Sequence, residues 1–285
     1  MQRPWPASDL SVRYPSMKQR QQGPENLTPE ILREAISELY KLGIRDSEAI
    51  QLALAQIIII NSLGGQFWAK ECTTFGSKQE FFIRKSDVRA IHLAHVIWCL
   101  KGSVGFHDFL KKNDQNNFES TYYEAVAAYL FLKHSCSVEL VIPSQVRGED
   151  FDLRIQGFRD YANLNVEVKA RRNTFKSEKQ ALDFLKRHRS QLPRDMNGAI
   201  FCKIDTGNES IDQASLEAAT KRFLNDTHRV KFVVYCWDAA PAQNAIALGY
   251  CAVGLDGDIG PIFDSAIRPI VPQYIIDTDT RNGNT

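Results

Sequence analysis

No two cysteines in this chain stand at C-x-x-C spacing, no G-x-S-x-G or G-x-x-x-x-G-K occurs, and no apolar run is long enough to span a bilayer. Each absence removes a class of function. The six cysteines, at 72, 99, 136, 202, 236 and 251, form neither a zinc-ligand set nor a disulfide framework. Some lie inside apolar runs, as in Phe201-Cys202-Lys203-Ile204, where Cys acts as a small hydrophobe. Free thiols and a reducing, cytoplasmic setting are the expectation. The most apolar window, Ala49 to Leu63, is broken by Gln51 and Gln56 and falls short of the ~20 residues of a membrane helix. It reads as a buried helix. Residues 1–26 hold four prolines and no apolar stretch, so a flexible polar tail is expected there rather than a secretory leader. Gly64-Gly65 has no phosphate-loop spacing around it.

Charge is also scarce in sum, the whole chain carrying a formal +1, but it is unevenly spread. Lys169 to Arg194 contains nine basic residues against Glu178 and Asp183, a local +7 that leaves −6 on the remainder. Such a segment is either a solvated helix face or a surface that meets a polyanion.

Capping and breaker residues organise the chain into a helical first part and a mixed second part. Thr28 with Pro29 opens a helix that stops at Gly43, Asp46 caps a second that ends at Gly64-Gly65, and Ser86 or Asp87 starts a third running to about Leu100. An aromatic-rich hairpin is expected around Gly76, and another turn or two of helix between Gly105 and Lys112. Asn113 to Asn117 is the clearest linker. The helical region is therefore placed at 27–112 and a second domain at 117–272, with a loose acidic tail at 273–285. The second part reads as helix 117–134, strands at 138–142, 150–156 and 164–170, helix 176–191, strand 199–204, helix 212–225, and strands at 231–237 and 245–253. Strands alternating with helices predict an α/β fold with a mixed central sheet flanked by helices. A winged helix-turn-helix in the first part is disfavoured, because its second helix is almost wholly apolar and cannot lie in a groove. His92 and His95 share a helix with Cys99, but a closed metal site needs four ligands, so they read as core or rim histidines.

The residues with chemical content stand on two neighbouring strands. Strand side chains alternate, so Asp150 and Asp152 share one face, and Glu167 and Lys169 share another. Gly157, Asp160 and Asn163 suit a hairpin between them. Pairing these strands gathers two or three carboxylates and an ammonium in one patch, which suits a hard divalent cation and the activation of water.

At these residues the chain resembles the PD-(D/E)XK nuclease superfamily, whose fold is restriction-endonuclease-like. Asp150 or Asp152 matches the acidic position opening a strand, and Glu167-Val168-Lys169 matches E-x-K. The helix beginning at Phe118 matches the family's upstream helix, with Glu124 as its acidic residue and Glu119 in reserve. The match covers about residues 117–205, in the order helix, strand, D-strand, E-x-K strand, basic helix, strand. The resemblance implies a metal-dependent phosphodiesterase, an endonuclease-like hydrolase acting on nucleic acid, with DNA favoured. Asp150, Asp152, Glu167 and the Val168 carbonyl would hold Mg²⁺ or Mn²⁺, Lys169 would act on the water or the phosphate, and Glu124 would complete the site. Arg171, Arg172, Lys186, Arg187 and Arg189 would meet the phosphate backbone. A homodimer is compatible with this reading, since two sites cut two strands. The rival reading keeps the fold without chemistry, as a nucleic-acid-binding or assembly module whose helical region is the partner surface.

Overall fold

The computed structural model describes residues 27–45, 47–68, 85–113, 118–142, 146, 148–170, 174–205, 210–239, 247–255 and 259. Both expected tails, the hairpin around Gly76, and Arg171 and Arg172 lie outside them. Among the described residues, five helices of eight residues or more come first, α1 (Pro29–Lys41), α2 (Ser47–Leu63), α3 (Lys85–Leu100), α4 (Phe106–Asn113) and α5 (Phe118–Lys133), with a single helical turn at Gly65–Phe67 between α2 and α3. The Thr28 hydroxyl accepts from the Ile31 N–H at the head of α1, and Pro29 takes the first helical position, where a missing N–H costs nothing. Gly43 closes that helix at φ +80°. Among the described residues, no helix is long and apolar enough to cross a membrane.

The sheet has six strands in sequence order: β1 (Ser137–Leu140), β2 (Leu153–Gln156), β3 (Leu164–Ala170), β4 (Asn197–Lys203), β5 (Val230–Ala239) and β6 (Ala247–Gly254). It is open and mixed. β1–β2–β3 is an antiparallel meander, β3–β4–β5 is parallel, and β6 returns antiparallel. The two parallel connections carry α6 (Glu178–Arg189) and α7 (Gln213–Asn225). Crossovers of one hand deliver both helices to the same face, where Ala181, Leu185, Leu216 and Phe223 bury against Ile200, Cys202, Val233 and Tyr235. Leu164, Val166, Val168, Phe201 and Val234 face the other way, into one continuous core that also contains α1 to α5. Helices on either side of residues 113–117 share that core.

α5 is the central post of that second core. Thr121 to Phe131 are eleven consecutive buried residues. A helix apolar on every side must be covered on every side, and here the covers are α3, β1 and β3. Its polar groups are met by partners: Tyr122 Oη lies 2.7 Å from His92 Nδ1, and Tyr129 Oη lies 2.9 Å from His95 Nε2. Burial pushes His92 down to about 3, helped by the charges of His95 and Arg89, and His95 down to about 4. Both histidines are core residues.

One strand is shorter than the alternation in sequence predicts. β2 begins at Leu153 and not at residue 150. The ladder turns irregular there: the Asp152 N–H still donates to the Val166 carbonyl at 3.0 Å, but the next β3 donor, the Val168 N–H, is taken by the Asp152 carboxylate and not by a strand carbonyl.

Candidate active site

This irregularity between β2 and β3 builds the site. Asp152 Oδ2 accepts from the Val168 N–H at 2.8 Å, filling the place the ladder vacates. In a strand, the N–H and C=O of one residue point to the same neighbour, so the Val168 carbonyl faces the same gap. Through that gap Asp152 meets charged groups from both sides of the sheet. Lys112 of α4 donates to Asp152 Oδ1 at 3.1 Å and to Glu124 Oε1 of α5 at 2.9 Å. From the other side Lys169 Nζ stands 3.5 Å from Asp152 Oδ2 and 2.5 Å from Glu167 Oε1. His188 of α6 completes that side, its Nδ1 3.5 Å from Glu167 Oε1 and 3.0 Å from Gln191 Oε1. Phe184, one helical turn earlier, orients the imidazole with ring centroids 4.4 Å apart.

The structure thus brings Asp152, Glu167, Lys169 and Glu124 into one cluster. Asp150 carries no contact to it. Its side chain is half-buried two residues upstream of Asp152, with Oδ1 buried and accepting no hydrogen bond. Glu119 belongs to a second buried cluster, bonded to Arg89 at 2.5 Å and 4.0 Å from Lys203.

Lys112 and His188 are the members that sequence reasoning did not single out. Lys112 carries no motif, being one of a Lys-Lys pair at the end of a short amphipathic helix in the first half of the chain. His188 is hidden in a basic run, and its spacing of four from the buried Phe184 was the available signal.

Burial governs the electrostatics. Glu124 is pushed up to about 7, first by burial and then by the Asp152 carboxylate, against the pull of Lys112 and Lys169. Glu167, fully buried, is raised by burial above all, with Asp152 adding to it while His188 and Lys169 oppose. Burial works against the charge of Lys169, but Asp152 and Glu167 overcome it and hold its proton more firmly than usual. Lys112 follows the same pattern, with Glu124 and Asp152 outweighing burial. Two firmly protonated ammonium groups thus face three carboxylates, two of which are held back from ionising by burial.

Among the described residues, no three His, Cys, Asp or Glu side chains converge as a ready metal-ligand set. Two carboxylates and a carbonyl at the gap nonetheless fit an ion such as Mg²⁺, which keeps several waters and takes only one or two protein carboxylates. The observation in favour of a cation here is the Glu167 carboxylate. It has no solvent exposure, and its Oε2 accepts no hydrogen bond. A buried anionic oxygen without a partner is costly, and a hard cation would satisfy it.

The proposed nucleic-acid contacts separate. Lys186 and Arg187 are exposed on α6. Arg189 is half-buried, with its guanidinium over the Phe223 ring of α7 at 5.9 Å. Leu185 is fully buried and Leu182 partly so, as the apolar face of that helix requires. No family model, no curated protein and no solved structure matches this chain.

Proposed function

We propose that this chain is a metal-dependent nuclease of restriction-endonuclease-like fold that hydrolyses phosphodiester bonds in nucleic acid, with DNA the favoured substrate. The observation that carries the reading is the meeting of Asp152, Glu167 and Lys169 at the gap beside β3, with a buried Glu167 oxygen that lacks a partner. The element order α5, β1, β2, β3, α6, β4 agrees with the family that the motif resembles.

Asp152, Glu167 and the Val168 carbonyl would hold Mg²⁺ or Mn²⁺, which when bound polarises a phosphate and lowers the pKa of a coordinated water. Lys169 keeps its charge at neutral pH and stands between the two carboxylates, placed to stabilise negative charge building on the phosphate oxygens. Glu124, with a pKa near 7, is matched to giving or taking a proton close to neutrality. Lys186 and Arg187 supply sequence-independent attraction to the phosphate backbone.

Purified protein is expected to nick or degrade DNA with Mg²⁺ or Mn²⁺ and to lose that ability in EDTA. Undiminished cleavage by Glu167→Ala or Lys169→Ala protein removes the assignment. A binding or assembly module without chemistry is the second reading. In its favour, Lys112 and Lys169 already neutralise most of the carboxylate charge. Calorimetry showing no Mg²⁺ or Mn²⁺ binding at millimolar concentration favours that second reading.

A further inference from the structure

The least expected member of the cluster is Lys112, which comes from the helical first half of the chain. Its position is enforced from the other end of α4. Immediately before that helix, the Leu140 N–H of β1 donates to the Val104 carbonyl at 2.8 Å. Gly105 then passes so close to β1 that an added Cβ would lie 1.9 Å from the Leu140 oxygen, and its φ is +78°. Phe106, Phe109 and Leu110 bury one face of α4. Lys112, three residues beyond Phe109, is directed to the mouth of the gap, and its side chain remains 23% exposed. Lys111, next to it, is 79% exposed and pairs weakly with Asp108 at 3.7 Å.

Between Glu124 and Asp152 the ammonium of Lys112 occupies the position where two buried carboxylates would otherwise repel each other. We infer that Lys112 is a tethered counter-cation: it holds the metal-free site together and is exchanged for the divalent ion when that ion binds. This inference rests on the metal-dependent reading above. An ammonium 3.1 Å from Asp152 and a divalent ion on the same carboxylate repel each other, so ion binding favours withdrawal of the Lys112 head group toward the mouth of the gap, where its side chain is already 23% exposed. The helix is fixed by β1 and by its buried face, so the exchange takes place in the four rotatable bonds of the side chain. Lys112 is a positioning residue. It sets the affinity of the site for its ion, and it makes the helical half of the chain part of that site.

Two measurements on the full-length protein test this. First, Mn²⁺ affinity by calorimetry should be about ten-fold or more tighter for Lys112→Met than for wild type, because one competing positive charge is gone. Lys112→Arg should bind no more tightly than wild type. Second, wild-type protein treated with an amine-acylating reagent should show several-fold faster modification of Lys112 once Mn²⁺ is added, while Lys111 reacts at an unchanged rate. The second measurement needs no variant to fold. Equal Mn²⁺ affinities in wild type and Lys112→Met, or an unchanged Lys112 acylation rate with Mn²⁺ bound, overturn the exchange but leave the nuclease reading intact. No Mn²⁺ binding by either protein overturns both.

Discussion

Replacing Glu124 by Gln should make the protein more stable at neutral pH, and the gain should vanish in acid. Glu124 titrates near 7 in the folded chain, against an ordinary value of 4.5, because burial and the Asp152 carboxylate disfavour its charge. Between those two pH values the native state keeps a proton that the unfolded chain has released. Stability therefore falls as pH rises through this window, with the full penalty present above pH 7 and none below 4.5. A displacement of that size corresponds to about 3 kcal/mol, at 1.36 kcal/mol for each tenfold change in proton affinity. Gln has no proton to release and keeps the volume. The stability difference between Glu124→Gln and wild type should thus grow by about 3 kcal/mol from pH 4.5 to pH 8. Urea denaturation followed by circular dichroism, in EDTA across this range, measures it. Parallel pH–stability curves for the two proteins would refute the reasoning, since Glu124 would then titrate alike in both states.

Tyr122→Phe removes the partner of a fully buried imidazole and should destabilise the fold by about 1–3 kcal/mol in the same assay. Gly105→Ala should cost at least about 1–2 kcal/mol from the positive φ alone, with the collision against Leu140 adding to it. If Lys186 and Arg187 meet duplex phosphates, replacing both with alanine should weaken binding to every DNA sequence alike. It should also flatten the slope of log affinity against log salt by roughly 0.9 for each lost contact, measured by fluorescence anisotropy.

Local signals carried most of the architecture. Thr28-Pro29 and Gly43 bound α1, and the alternation of apolar and polar residues marks β3 (Leu164–Ala170), because capping and side-chain alternation depend on neighbours in sequence. Glu167 and Lys169 were legible for the same reason, on a strand whose alternation could be counted, while Glu124 entered through the resemblance to the nuclease superfamily. What failed depended on tertiary context. Nothing in the alternation of residues 150–156 says that a side chain will replace the ladder at Asp152 and shorten β2 to Leu153–Gln156. Lys112 reaches the site only because Val104 and Gly105 dock on β1, a contact made across about 35 residues of chain. His188 looked like one more basic residue until β3 was placed against α6.

The all-round burial of α5 also limits how the chain can be divided, by experiment or by evolution. A fragment beginning at the linker would keep all six described strands and the E-x-K residues. It would leave the α3-facing side of α5, with Tyr122 and Tyr129, bare to water. An apolar surface of that kind drives aggregation. The helical half therefore cannot be exchanged freely for another accessory module, and insoluble product is the expected outcome of expressing the second half alone. Related chains that carry this site should inherit both halves together, or meet α5 with a new partner that covers the same face.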